Sequence, residues 1–285
     1  ENKRLFLLFV LNVSMATSTE NGGKEMSFLG HLEELRWRLV RSTIAILVVA
    51  IVLFIFTETI VDFVFMSMKR TDFPTYQFFC WLSEVLNLDD SLCATEIPIN
   101  TQSTTPTGQF STNMYFAFIG GFIVAFPFVF YQFWSFLKPA LKEAEYKVTR
   151  GAVLWASLLF LLGIAFGYYL VSPLCVQFFG TYKIVSEAEN NFTISSYMSL
   201  ITTTTLFSGL FFELPIVIYI FSKLGVISST LLKKYRKHAL VVILIVAAII
   251  TPPDVISQIL VSLPILVLYE IGILIYKRVE KNKIT

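Results

Sequence analysis

The chain has 285 residues, of which 55% are hydrophobic and only 15% are charged, and its mean hydropathy is +0.71. Because a soluble domain carries about 25% charged residues, this composition excludes an ordinary water-soluble domain. The net charge of +2 says little by itself, whereas the positions of the basic residues are informative.

The first 26 residues precede the predicted membrane domain. Residues 5–11 form an apolar heptad that is too short to span a bilayer, and no convincing small-residue cleavage site follows it. Residues 16–24 are polar, which is typical of a disordered cytoplasmic tail. We interpret residues 1–26 as a disordered leader or as a gene-model extension. If they are an extension, Met15 or Met26 is the working start of the protein.

Six long apolar stretches within residues 27–280 predict six membrane-spanning segments. They lie at residues 39–56, 114–136, 152–171, 197–221, 239–251 and 255–276. A helix needs about 20 apolar residues to cross a bilayer core. Four stretches reach that length, the fifth is short, and Pro264 and Glu270 interrupt the sixth. The runs are continuous rather than alternating, which predicts helices and not a β-barrel.

The basic residues predict the orientation of these spans. Of the 22 Lys and Arg residues, 3 lie in the leader, 16 in the segments that share a side with the amino terminus, and 3 on the opposite side. The positive-inside rule then places both termini in the cytoplasm. The predicted fold is an all-α membrane protein with six transmembrane helices.

The segment between spans one and two, residues 57–112, is predicted to be a long outer loop. Residues 76–86 within it are acidic and amphipathic, and Cys80 and Cys93 both lie in the loop. An oxidising outer compartment permits a Cys80–Cys93 disulfide. Two unpaired cysteines are the alternative, because spacing alone does not decide the pairing.

The residues available for catalysis argue against an enzyme. The two histidines, His31 and His238, both lie near the predicted cytoplasmic face, and no nucleophile–base pattern converges in the sequence. A histidine-ligated metal site within the membrane is therefore not expected. We predict no enzymatic activity, no metal and no cofactor.

Just before span one, a short helix combines leucines, arginines and carboxylates. Leu32, Leu35 and Leu39 share one helical face, and Glu34 and Arg38 form an i,i+4 pair. An ordinary interfacial helix anchored to lipid headgroups explains the arginines and leucines. It explains less well why two adjacent carboxylates lie beside anionic lipid.

A second polar group lies between spans two and three. Pro139 can open a helix, which puts Glu143 and Glu145 in its first turns, where the helix dipole favours anions. Routine helix capping is the alternative interpretation.

Glu213 lies in the middle of span four and is costly in hydrocarbon, so it is expected to face a polar cavity or a partner, or to be protonated. An internal hydrogen bond across the bundle is the alternative. Pro215 removes a backbone donor and can kink the helix at this point.

Four spaced motifs make the chain resemble the TatC family. Residues 31–39 (HLEELRWRL) resemble the family's H-L-x-E-L-R-x-R-L opening. Residues 136–141 (FLKPAL), followed by Glu145, resemble its F-x-x-P-A-L-x-x-x-E loop. Residues 212–215 (FELP) resemble its F-E-x-P element, and residues 251–258 (TPPDVISQ) resemble its T-P-P-D-x-x-S-Q hairpin. The resemblance covers residues 28–276, and the long outer segment departs from it.

This resemblance implies a concave helical bundle that serves as the signal-peptide receptor core of a twin-arginine translocase. Such proteins help to export folded proteins, with the proton-motive force as the energy source and single-span TatA-type and TatB-type partners in an oligomeric assembly. The expected location is the plasma membrane of a bacterium, with an organellar membrane of bacterial descent less favoured, and no nucleic acid is involved. A proton-coupled secondary transporter of a small solute is the alternative, although no internal repeat supports it.

The resemblance also assigns roles to residues. It places signal-peptide binding at Glu34 and Glu145, and paired carboxylates are the natural complement of two guanidinium groups. It also implies supporting positions at His31, Arg36, Arg38 and Pro139. Glu213 is implied to lie in an intramembrane groove. Partner helices are implied to dock at an outer hairpin that contains Pro252, Pro253 and Asp254.

Overall fold

The computed structural model describes residues 28–70, 72–85, 100–137, 149–183, 185, 190–223, 229–250 and 255–284. The chain divides into two compact units, Glu1–Trp37 and Arg38–Thr285. In chain order the elements are α1 (Phe28–Ile55), α2 (Thr57–Ile60), a π-helical segment (Val61–Phe65), a 3-10 helix (Met66–Lys69), α3 (Pro74–Val85), β1 (Asn100–Gln102), α4 (Gly108–Leu137), α5 (Thr149–Phe166), a second π-helical segment (Gly167–Val171), α6 (Ser172–Thr181), β2 (Asn191–Thr193), α7 (Ile194–Phe212), α8 (Leu214–Lys223), α9 (Ser229–Lys234), α10 (Arg236–Ile250) and α11 (Val255–Ile284).

Five of the described helical stretches are long and apolar enough to cross a bilayer. They are Gly30–Ile55, Gly108–Leu137, Gly151–Thr181, Ile194–Ser222 and Gln258–Tyr276. The remaining predicted span corresponds to α10, which has 15 residues. At about 1.5 Å per residue this helix is about 22 Å long, which is less than the bilayer core of about 30 Å. The fifth span is therefore short, as its sequence predicts.

Prolines affect two of the spans differently. The fourth span breaks near Pro215: α7 ends at Phe212, and α8 begins at Leu214. By contrast, α11 continues as one helix through Pro264. A membrane helix tolerates proline where neighbouring groups satisfy the freed backbone.

Small residues let α5 and the second π-helical segment pack closely against α7. A Cβ atom at Gly163 would lie 2.7 Å from the Cβ of Phe212 and 2.8 Å from the Cα of Gly209. A Cβ at Gly167 would lie 2.8 Å from the Cα of Thr205. Close backbone approach through glycine is a common way to pack helices in membranes, where no hydrophobic force drives association.

The segment after span one is folded into short helices. We term residues 57–85 the outer cap. Its apolar residues Phe65, Met68 and Tyr76 are buried in one cluster with Val176 of α6 and Tyr197 of α7. The Tyr197 hydroxyl donates to the Phe65 carbonyl oxygen at 2.7 Å, and the Tyr76 hydroxyl donates to the Met68 carbonyl oxygen at 3.2 Å. The outer cap is thus packed onto spans three and four.

Among the described residues, two three-residue strands are the exception to an otherwise helical fold. Strand β1 pairs in parallel with β2, with Asn100 opposite Asn191 and Gln102 opposite Thr193. Thr193 then caps α7, because its hydroxyl oxygen accepts a hydrogen bond from the Ser196 N–H at 3.1 Å. The ladder holds the chain that enters span two beside the start of span four.

Candidate functional site

The first turns of α1 carry three of the predicted site residues. They are Glu34, which is predicted to bind the signal peptide, and the supporting residues His31 and Arg36. Burial here follows the helical period. The half-buried positions are Gly30, His31, Glu34 and Leu35, and the exposed positions are Leu32, Glu33, Arg36 and Trp37. Of the two adjacent carboxylates, Glu34 is therefore the sheltered one and Glu33 is exposed to solvent.

In the second unit, Arg38 is held by a buried amide. Its Nη1 donates to Oε1 of Gln132 at 3.4 Å, and the Gln132 side chain is buried near the end of α4. This contact places the guanidinium of Arg38 at the end of span two that leads into the predicted cytoplasmic loop. The loop residues Pro139 and Glu145 lie outside the described residues.

Glu213 lies at the break in span four. It is 7% exposed, and it is the turn residue between α7 and α8. Its N–H donates to the Leu210 carbonyl oxygen at 3.2 Å, and its carbonyl oxygen accepts from the Val217 N–H at 2.9 Å. Both carboxylate oxygens are shielded, and neither has a partner with normal hydrogen-bonding geometry in the described part of the chain. The side chain faces the interior of the bundle and not lipid, while its contact with a groove or a partner stays a prediction.

A cluster of hydroxyl groups joins spans three and four. The Ser172 Oγ lies 2.7 Å from the Thr204 Oγ1 and 3.3 Å from the Thr205 Oγ1. All three side chains are buried, and mutual hydrogen bonds remove much of the cost of burying hydroxyls in a membrane helix bundle. Sequence reasoning missed this cluster, although four consecutive threonines in an apolar span were a signal.

An ion pair near the predicted cytoplasmic face was also missed. Arg236, the first residue of α10, donates from Nη2 to Oε2 of Glu270 in α11 at 2.6 Å, with both side chains about half exposed. Beside it, the Tyr269 hydroxyl donates to the Leu232 carbonyl oxygen of α9 at 3.0 Å. These contacts connect the start of span five to span six.

On the opposite side, Lys69 joins the outer cap to the bundle. Its Nζ donates to the Thr101 Oγ1 at 2.8 Å and lies 5.1 Å from the centroid of the Tyr197 ring. Burial lowers the pKa of Lys69 from its usual value. The lysine thus links the outer cap, the segment that contains β1 and the start of span four.

The cysteines of the outer side are partly described. Cys80 in α3 is disulfide-bonded, and Cys175 in α6 is a buried thiol. Cys93 lies outside the described residues, so its pairing with Cys80 stays a prediction. The predicted outer hairpin at residues 252–254 also lies outside them.

Together these elements define a polytopic helical membrane protein with a sheltered carboxylate in the first turns of its first helix and a buried carboxylate at a helix break. The model of the family described as "Sec-independent protein translocase protein (TatC)" matches residues 30–264. The chain therefore belongs to the TatC family.

Individual relatives agree with this assignment. The chain is 39% identical over 265 residues to the protein named TatC of Blattabacterium sp. subsp. Periplaneta americana (strain BPLAN), covering 93% of this chain and 100% of the relative. It is 37% identical over 250 residues to that of Helicobacter pylori (strain ATCC 700392 / 26695), covering 88% of this chain and 87% of the relative.

Solved structures agree as well. A crystal structure of the twin arginine translocase receptor TatC is 31% identical, covers 87% of this chain and 98% of its own, and has a TM-score of 0.63. A second crystal structure of that receptor, in DDM, is 32% identical. It covers 86% of this chain and 98% of its own, and has a TM-score of 0.65. The predicted resemblance and the six-span helical membrane fold are confirmed, and the solute-transporter alternative is not favoured.

Proposed function

We propose that this protein is the receptor subunit of a twin-arginine translocase in a bacterial plasma membrane. It binds twin-arginine signal peptides at its cytoplasmic face and, with TatA-type and TatB-type partners, helps to export folded proteins at the expense of the proton-motive force. The observation that carries the proposal is the similarity, over 87% of the chain, to a solved structure described as the twin arginine translocase receptor.

The proposed recognition chemistry rests on two carboxylates, Glu34 and Glu145. Each guanidinium of a twin-arginine peptide can donate two parallel hydrogen bonds to one carboxylate. Glu34 is half-buried, so a charge-assisted hydrogen bond to it is less screened by water than one to the exposed neighbour Glu33. This difference favours Glu34 over Glu33 as the residue that contacts an arginine.

The test measures the affinity of a twin-arginine peptide for the full chain in lipid nanodiscs. Glu34→Ala and Glu145→Ala should each weaken binding about tenfold or more, because a hydrogen bond to a charged group is worth about 1.5–3 kcal/mol. Glu33→Ala and Glu143→Ala are the matched controls and should bind almost normally.

Thermal stability of every variant, measured in parallel, separates lost recognition from lost folding. Normal peptide binding by the Glu34→Ala/Glu145→Ala double variant would contradict the assignment. So would an equal loss in the two control variants.

A further inference from the structure

Helix α3 of the outer cap has two apolar sides. One side is packed against the protein, with Tyr76 and Phe79 buried. On the other side Phe78, Trp81 and Val85 remain 51%, 56% and 57% exposed. These three residues recur at spacings of three and four, so they form one apolar edge along the helix.

The exposed surface of α3 also has a polar edge. Gln77 and Glu84 are exposed and lie seven residues apart, so they occupy the same side of the helix. They lie about 100° around the helix from Phe78 and Val85 respectively, whereas Trp81, four residues after Gln77, lies on the side of the apolar edge that is nearest to them, about 40° from Gln77. A helix with adjacent apolar and polar edges is suited to lie in the plane of a membrane interface.

The contacts of α3 place its start at the depth of the membrane. The Thr75 hydroxyl donates to the Tyr169 carbonyl oxygen in the second π-helical segment, and the Tyr76 hydroxyl lies 3.4 Å from the Pro173 carbonyl oxygen. The Phe73 ring stacks on the Tyr169 ring, with centroids 5.9 Å apart. All of these partners belong to the candidate span Gly151–Thr181.

The outer end of span three sets the level of these contacts. The apolar stretch that predicts this span runs from residue 152 to residue 171. Tyr169 lies two residues before its outer end and Pro173 lies two residues beyond it. At about 1.5 Å per residue both lie within about 3 Å of that end, at the level of the membrane interface where amphipathic helices bind.

An exposed, mostly apolar stripe of span three ends beside the start of α3. The side chains of Trp155, Leu158, Leu162 and Tyr169 are exposed and recur at helical spacing along α5 and the second π-helical segment. Tyr169 ends this stripe and contacts Phe73 at the base of α3. Aromatic side chains are enriched where a membrane protein crosses the interface.

We propose that α3 is an interfacial helix whose Phe78–Trp81–Val85 edge is embedded in the outer leaflet of the bilayer. Lipid, and not a protein partner, then covers this edge, while Gln77 and Glu84 face water. The outer cap would be held both by its hydrogen bonds to span three and by its insertion into lipid.

The experiment uses tryptophan fluorescence of the full chain in phosphatidylcholine–phosphatidylglycerol nanodiscs. Replacing Trp37, Trp81, Trp134 and Trp155 by Phe gives a background without tryptophan, to which either Phe78→Trp or Gln77→Trp is added. The two fluorophores then lie about 100° apart around the helix, the first on the apolar edge and the second on the polar edge. Each protein is measured with phosphatidylcholine brominated on the upper part of its acyl chains and, separately, with acrylamide in the water.

The Phe78→Trp chain should be quenched by the brominated lipid at least about twofold more than the Gln77→Trp chain, and acrylamide should show the reverse order. Quenching of the Phe78→Trp chain by acrylamide but not by brominated lipid would overturn the proposal, because the edge would face water. Protection from both quenchers would also overturn it, because a protein would then cover the edge. If the quadruple replacement fails to fold, the difference between the native chain and its Trp81→Phe variant shows which quencher reaches the apolar edge.

Discussion

Replacing Gly163 by alanine tests the close packing of spans three and four. The new Cβ would lie 2.7 Å from the Cβ of Phe212 and 2.8 Å from the Cα of Gly209, closer than Cβ atoms approach such groups in folded proteins. Neither neighbour is the flexible end of a side chain, so α5 and α7 must move apart. Overpacking of this kind costs about 1–3 kcal/mol.

Gly151 in the same helix provides the matched control. A Cβ at this position meets no heavy atom within 4 Å. Both substitutions gain about 1 kcal/mol of helix propensity. That gain cancels when the two variants are compared, so Gly163→Ala should be about 1–3 kcal/mol less stable than Gly151→Ala.

The buried thiol of Cys175 provides the assay. A dye that fluoresces on reaction with a thiol reports unfolding when heating exposes Cys175, whereas Cys80 is disulfide-bonded and does not react. Cys93, as the predicted partner of Cys80, is not expected to react either, and the same dye added to the folded chain before heating checks this. At about 2–4 °C per kcal/mol, Gly163→Ala should melt roughly 2–12 °C below Gly151→Ala. Equal melting temperatures would refute the inference that glycine at position 163 permits the close helix contact.

Three further predictions concern Glu213, the ion pair of Arg236 and the cysteines of the outer loop. Glu213→Gln, which keeps size and hydrogen-bonding capacity, should retain partial export of a twin-arginine reporter, whereas Glu213→Leu should lose it; full export by the Leu variant would exclude a functional role. Arg236→Ala should lower stability by less than about 1 kcal/mol, because its ion pair with Glu270 is half exposed, and a larger loss in thermal melts would show that lipid strengthens the pair. Labelling the unreduced, denatured chain should detect one thiol if Cys80 pairs with Cys93, and three thiols would exclude the bridge.

The predicted recognition residues illustrate how far a sequence motif extends. The helical period of residues 30–37 separates a sheltered side from an exposed one, and this separation agrees with the preference for Glu34 over Glu33 that the resemblance implied. The partner of Arg38 was not predictable in the same way. Gln132 lies 94 residues away, and only the packing of the first two spans brings the two side chains together.

The sequence by itself determined the membrane class, the six spans and the family, and it predicts the orientation of the spans. These properties follow from the length of each apolar run, from the distribution of lysine and arginine, and from short motifs, all of which act on one segment at a time. A single sequence is sufficient for the spans because the thickness of the bilayer, and not the packing of the other helices, sets the length that each apolar run needs.

The tertiary structure decided which groups meet across the bundle. The pairing of β1 with β2, the hydroxyl cluster of Ser172, the ion pair of Arg236 and the docking of α3 on a π-helical segment all join residues distant in sequence. The burial of Glu213 also depends on helices from other parts of the chain. Such contacts depend on how the helices pack against one another, and local hydropathy and helical periodicity carry no information about that packing.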